Sequence, residues 1–248
     1  MKTIAIMQPY FFPYIGYWQL IHASDRFVIL DDVNHIVRGW VNRNRLLING
    51  QPTYITVPLQ HASQNKKICD TKLVPSHTWR DKMTKTIENT YRKAPYFDEV
   101  FPLIERLIRH PSEFLADYLA YQLQNLSKFL GISTDFVATS RAYGNNEITG
   151  QKRIIDICKR EGATVYINPH GGQKLYDADA FFSAGIDLRF VFTRPLNYRQ
   201  FSPEFTPDLS IIDVMMFNSK QTILADFLGN YDVGNAVCCL EPEKQDAL

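Results

Sequence analysis

Apolar residues along the chain follow two rhythms: short unbroken runs that suit buried strands, and repeats of three to four that suit helices. Ile4-Ala5-Ile6 reads as a buried strand over residues 3–8, stopped by Gln8-Pro9. Ile15, Trp18, Leu20, Ile21 and Ala23 then keep helical spacing over 15–23, from Gly16 to a stop before Asp25. Phe27-Val28-Ile29-Leu30 is a second unbroken run, cut off by Asp31-Asp32, as in a parallel strand buried on both faces. Strand, helix, strand within about thirty residues is a βαβ unit. If its strands are neighbours, Gln8-Pro9 and Asp31-Asp32 lie side by side.

Leu46-Leu47-Ile48, then Asn49-Gly50, then Tyr54-Ile55-Thr56-Val57 predict a hairpin, since Asn-Gly suits the left-handed positions of a tight two-residue turn. Residues 76–130 change to helical spacing in three stripes: Trp79, Met83, Ile87 and Tyr91; Leu103, Ile104, Leu107 and Ile108; Phe114 to Phe129, closed by Gly131. Strand-like runs return at 134–139, 164–167 and 188–192. Between them lie a helix N-capped by Thr149 and carrying Cys158 on its apolar side, and a short helix at 178–184. Ser210-Ile211-Ile212-Asp213 resembles a capping box with Asp in the usual Glu position.

This order predicts the α/β class: a mostly parallel, Rossmann-like sheet in one domain over residues 1–240. The helices of 76–130 read as an insertion that caps the site and excludes water, and residues 241–248 as a disordered tail. Ligands of such sheets bind beyond the carboxyl ends of the strands.

Of 248 residues 45% are hydrophobic, which allows a sizeable core, and the net charge of +1 gives no global reason to expect nucleic acid or an anionic membrane. No apolar run is long enough for a membrane span. The opening residues lack a signal-peptide pattern, and the four cysteines (69, 158, 238 and 239) show no ligand spacing, so reduced thiols in a cytoplasmic protein are expected.

Three constellations carry candidate chemistry. The first gathers Gln8, Tyr10, Tyr14 and Gly16 on the turn after strand one with Asp31, Asp32, His35, Arg38, Trp40, Asn42, Arg43 and Asn44 after strand two. Here His35 is the candidate base, held by Asp31 or Asp32, and Arg38 and Arg43 are candidate grips for a diphosphate. Trp40, Tyr10 and Tyr14 would stack on a base or sugar. The alternative is a capped turn with solvated arginines. The second is Asn168-Pro169-His170-Gly171-Gly172 with Tyr176, where paired glycines after a strand let backbone amides approach an anion, or simply make a turn. The third is Asn197-Tyr198-Arg199-Gln200 with Asp213 and Asn218 downstream, the alternative being a capped helix and a loop; Tyr198 and Gln200 are its candidate ligand contacts. No GxSxG elbow, phosphate loop or HExxH pair occurs, and the six histidines have no metal-ligand spacing, so no metal site is expected.

The stretches MQPYFFPYIGYWQLIHASDRFVILDDV, WVNRNRL, YRKAPYF, TGQKRIIDICKREGATVYI and YRQFSPEFTPDLSIIDVMMFN resemble, in order, the signatures of the WbqC-like proteins. That resemblance implies a bacterial protein of O-antigen or other surface-polysaccharide (lipopolysaccharide) gene clusters. It implies a transferase that adds an acyl or aminoacyl group, glycyl for example, to the amine of a nucleotide-linked amino sugar, with an activated and possibly carrier-bound donor as second partner. The first βαβ unit also resembles that of pantothenate-synthetase-type nucleotidyltransferases of the HUP class. There Pro13-Tyr14-Ile15-Gly16 stands where those enzymes carry an HIGH-like motif. That likeness implies an alternative, an ATP- and Mg²⁺-dependent ligase or nucleotidyltransferase acting on a small carboxylate. A non-catalytic adaptor of a biosynthetic complex is the third reading.

Overall fold

The computed structural model describes residues 1–235. The expected 241–248 tail, Cys238 and Cys239 lie outside the described residues.

Six strands form the central sheet: β1 (Thr3–Met7), β2 (Arg26–Ile29), β7 (Asp135–Val137), β8 (Val165–Pro169), β9 (Asp187–Thr193) and β10 (Tyr231–Gly234). Their spatial order is β10-β9-β8-β1-β2-β7, parallel except for β10, which runs antiparallel to β9. The chain lays β2 and β7 to one side of β1, then returns to lay β8 and β9 on the other. This is the Rossmann order, and its reversal lies between β1 and β8. The register pairs Met7 with Ile29, so Gln8-Pro9 and Asp31-Asp32 do leave adjacent strand ends.

Alternation along the central strands feeds two cores. Ala5, Phe27, Ile29, Ile167 and Val191 face one side, with α1 (Ile15–His22), α2 (Thr78–Tyr91), α3 (Phe97–Arg109), α4 (Leu115–Leu130) and α7 (Ile211–Phe217). Ile4, Ile6, Val28, Tyr166 and Phe190 face the other, with α5 (Gly150–Arg160) and α6 (Ala178–Ser183). Covering both faces explains why these strands read as unbroken apolar runs.

The hairpin forms around Asn49 (φ 51) and Gly50 (φ 75), both left-handed as a tight turn between twisted strands requires. It is longer than its apolar residues suggested, β3 (Arg43–Ile48) pairing with β4 (Gln51–Thr56), so Arg43 and Asn44 are strand residues. Two short strands, β5 (Leu59–Gln60) and β6 (Lys72–Leu73), pair next. At the later helices, Thr149 stands at the N-cap of α5 without a side-chain cap bond. Ser210 caps α7 through its hydroxyl, which accepts from Ile212 N at 3.3 Å. Asp213 does not close the capping box; its carboxylate turns inward.

Candidate functional site

The turn after β1 is built from aromatic residues, and its main chain is held from several sides. Phe12 has φ 40, a left-handed value that a bulky residue adopts only under constraint. Asn44 donates from Nδ2 to Phe11 O (3.1 Å) and Phe12 O (2.9 Å), and Ser210 Oγ donates to Phe12 O at 2.8 Å. From α1, Trp18 Nε1 donates to Pro13 O (3.0 Å) and Tyr17 Oη to Gln8 O (2.8 Å). Phe11 N bonds Trp40 O, and Ile211 N bonds Pro13 O, each at 3.1 Å. The hairpin, α1 and α7 therefore meet on this turn.

Beside it opens a cleft of about 820 Å³, at the carboxyl ends of β1, β8 and β9, next to the reversal in strand order. Tyr10, Tyr14 and Trp40 line one part, with Asn44 and Arg45. His170, which follows β8, and Thr193, Arg194, Asn197 and Tyr198, at and after β9, line another; Phe205, Asp208 and Val214 complete it. Burial raises the phenol pKa of Tyr10 and Tyr14, Tyr14 also through the nearby Asp208 charge, so both act as neutral hydrogen-bonding rings. Gly16 is needed for this arrangement, because a Cβ there would sit 2.6 Å from the Tyr14 ring. Gly16 therefore gives room to Tyr14 and is not a ligand contact of its own in the cleft lining.

Trp40 is pre-positioned. Its ring lies 6.1 Å from that of Tyr54 and under the Arg45 guanidinium at 5.6 Å. Arg45 also donates from Nη2 to Asp208 O at 3.3 Å, while its buried Nε has no partner among the described residues. The second cation, Arg194, is paired with Asp232.

The structure divides the first constellation. Tyr10, Tyr14, Trp40 and Asn44 reach the cleft; Gln8, Asp31, Asp32, His35, Arg38, Asn42 and Arg43 are not among its lining residues. Asp31 and Asp32 do not hold His35. Asp31 accepts from Thr139 Oγ1 (2.9 Å), Ser140 N (3.0 Å) and Arg141 Nε (3.2 Å). Asp32 accepts from Ser140 Oγ and, with both oxygens at 2.7 Å, from Arg153 Nη2. Both carboxylates are spent on linking β2 to the segment after β7 and to α5. Burial opposes the Asp32 charge, but the Arg153 and Ser140 bonds outweigh it and hold its pKa below the usual carboxylate value.

His35 is 3% exposed and its backbone N bonds Lys66 O. Burial lowers its pKa; Asn42 lies close enough to oppose that shift, yet neither ring nitrogen makes a hydrogen bond of normal geometry. Asn42 itself donates to Val57 O at 2.9 Å. Arg43 donates to Gly39 O at 3.2 Å and to Arg38 O, and lies over the Tyr54 ring at 4.3 Å, so its fork is engaged by its own loop. Arg38 is exposed with φ 63.

Of the second constellation only His170 reaches the cleft, stacked on Phe192 with centroids 5.9 Å apart. Residues His170–Leu175 form a 3-10 turn. Asn168 Nδ2 donates to Tyr166 Oη at 2.6 Å, and Tyr166 and Tyr176 hydroxyls meet at 2.9 Å, inside the core formed with α5 and α6. Gly172 is buried, and a Cβ there would meet Asn168 Oδ1 at 2.3 Å, while Gly171 is open. Asn168, Gly172 and Tyr176 are thus packing residues. In the third constellation Tyr198 lines the cleft and Gln200 supports it from behind, donating from Nε2 to Asp213 Oδ1 at 3.0 Å.

No residue of 76–130 is among the cleft-lining residues, and the apolar stripes of these helices pack against the sheet face. Arg45, Arg194 and Asp208 line the cleft but lie outside the three constellations. Thr193-Arg194 directly follows the apolar run at 188–192, so the strand-end argument applied to β1 and β2 would have found Arg194. Among the described residues no group of three or more His, Cys, Asp or Glu is placed to hold a metal ion, and no helix is long and apolar enough to cross a membrane.

The model of the WbqC-like protein family matches residues 8–225 of the chain. The uncharacterized protein Rv1507c of Mycobacterium tuberculosis is 30% identical over 223 residues, covering 88% of this chain and 94% of that protein. No solved structure matches. With the family's pattern running from the turn after β1 to the end of the α7 region, the chain belongs to the WbqC-like protein family, which is linked to polysaccharide biosynthesis.

Proposed function

We propose that this protein is a transferase of surface-polysaccharide biosynthesis that binds a nucleotide-linked amino sugar in the cleft and acylates or aminoacylates its amine. One observation supports this reading above the others: aromatic faces and cations share one cleft at the strand-order reversal, with Tyr10, Tyr14, Trp40 and Tyr198 beside Arg45 and Arg194. Aromatic faces suit a nucleobase or sugar ring, and a guanidinium suits phosphate oxygens. In this reading Arg45 takes the phosphate role first expected of Arg38 and Arg43, whereas Arg194 must exchange or share Asp232.

His170 is the base, replacing His35, which the cleft does not reach. The sugar nitrogen attacks the acyl carbonyl carbon, a C–N bond forms, the donor's leaving group departs with its electron pair, and the nitrogen's proton passes to His170. The test incubates the protein with UDP- and dTDP-linked amino sugars and with glycyl thioester or glycyl adenylate, and reads sugar mass. A gain of one glycyl residue that is lost in His170→Ala is the expected result. No gain with any pair, together with pyrophosphate release from ATP that depends on a carboxylic acid, would favour the ligase reading instead.

A further inference from the structure

Behind the cleft wall, Asp213 is a buried carboxylate (0% exposed) that pairs with no cation among the described residues. Tyr91 Oη lies 2.8 Å from its Oδ2, and Tyr198 Oη lies 2.7 Å and Gln200 Nε2 3.0 Å from its Oδ1. Burial raises the Asp213 pKa and these three bonds oppose the rise. Of the three donors only Tyr198 lines the cleft, and Val214, next to Asp213, lines it too.

Gln200 is oriented by its neighbours. Its Oε1 accepts from Thr206 N at 2.9 Å and its Nε2 donates to Thr206 O at 3.0 Å, so the backbone of one residue fixes which end of the amide is which. The nitrogen therefore faces Asp213 Oδ1, which accepts from it at 3.0 Å. Tyr198 Oη donates its one proton to the same oxygen at 2.7 Å. Tyr198 has then spent its proton inward, and a longer contact from Gln200 Nε2 (3.3 Å) takes up part of the oxygen's acceptor capacity.

We propose that Tyr198 is a specificity-determining acceptor of the cleft: its remaining lone pair selects a hydrogen-bond donor on the ligand, an ammonium or amine, over a carbonyl at the same carbon. This rests on the proposed function for its ligand class, and it assigns the amine of that sugar to the Tyr198 side of the cleft. Asp213 is the positioning residue that sets the polarity. The same geometry disfavours a keto sugar, whose carbonyl would face an oxygen with no proton to offer.

The test has two parts. Calorimetry compares UDP- and dTDP-linked 4-amino-4,6-dideoxyhexose with the matching 4-keto sugars. The protein should bind the amine at least roughly tenfold more tightly, in line with a hydrogen bond to a charged donor. Tyr198→Phe keeps the ring contacts with Phe205 (5.1 Å) and Phe227 (6.1 Å) and should lose that preference. Tyr91→Phe removes the other hydroxyl from Asp213 without altering the cleft lining and should keep it, which separates polarity from lost stability. Equal binding of amine and keto sugars, or an unchanged preference in Tyr198→Phe, overturns the proposal. Independently, proton NMR should show two slowly exchanging, downfield tyrosine hydroxyl protons, one lost in each variant. If Tyr198→Phe removes neither, the inward proton is refuted whatever binds. If no nucleotide sugar binds but the resonance is present, it is the functional reading that fails, and a panel of primary amines against ketones decides the polarity.

Discussion

The side-chain nitrogen of Asn44 lies 2.9 Å from the carbonyl oxygen of Phe12, a residue held at φ 40, so a hairpin strand clamps the strained turn that forms the cleft's aromatic wall. Asn44 is 3% exposed, and its second bond satisfies Phe11 O at 3.1 Å. Asn44→Ala leaves that buried carbonyl without its donor and should destabilise the fold by about 2 kcal/mol, read as a lower urea midpoint at unchanged slope. A loss below about 0.5 kcal/mol would mean that Ser210 and the core hold the turn without it.

Gly16 and Tyr14 make a contrasting prediction. A methyl at Gly16 meets the far end of a mobile ring and not the backbone, so Gly16→Ala should cost less than about 1 kcal/mol, offset by alanine's better helix propensity. Its effect should fall on ligand binding, because the displaced Tyr14 ring must move into or out of the cleft. Weakened nucleotide-sugar binding with near-normal melting is the expected result, and a large fall in melting temperature with intact binding would contradict it.

Arg153 and Asp32 form a buried ion pair with side chains 6% and 4% exposed. Arg153→Met strands the carboxylate and should cost about 3–5 kcal/mol near neutral pH. The Asp32 pKa is lowered in the folded protein, so its stabilisation is present above the unfolded value of about 4 and is lost as the pH falls through the folded value. Without Arg153, burial raises that pKa instead. The stability gap between variant and parent should therefore narrow on acidification, in denaturation series from pH 7 to 3.

His35 titrates with the opposite chemistry and the same sign. Its folded pKa is lowered by burial, so protonation favours the unfolded chain. Stability is full above the unfolded value of about 6.5 and falls as the pH drops below it. His35→Gln should flatten the stability slope below pH ~6.5. It will not abolish it, because burial also lowers His22 and His110.

Variants at His170, Arg45, His35 and Arg43 test the division between site and scaffold. His170→Ala and Arg45→Ala should each reduce transfer or nucleotide-sugar affinity by about tenfold or more, a scale set by general-base and charged hydrogen-bond losses. His35→Gln and Arg43→Ala should change either by less than about twofold once stability is matched. Steady-state transfer and calorimetry on the four variants check this, and the reverse ranking would return the chemistry to the loop after β2.

Much of the scaffold was legible. The parallel strands announced themselves because both their faces are covered, Asn49-Gly50 because two adjacent left-handed residues admit few alternatives, and the end of α4 because Gly131 adopts φ 78. That Tyr10, Tyr14, Trp40 and Asn44 share one cleft was legible because they cluster after the first strands. Arg45 stands one residue beyond the polar run, and its place in the cleft, beside Trp40 and Asp208, is set by long-range contacts.

The sequence by itself determined the parallel strands, the hairpin turn, the α/β class and the family, because hydrophobic period, turn chemistry and ordered motifs are properties of neighbouring residues. Only the tertiary structure decided which polar groups work together. Asp31 and Asp32 stand four and three residues from His35, yet they bind Ser140 and Arg153, more than a hundred positions away, because β7 and α5 pack beside β2. Likewise, laying β8 and β9 on the far side of β1 brings His170 and Tyr198 to the Tyr10 and Tyr14 wall. Partner choice follows from long-range core packing, and hydrophobic period carries no record of it.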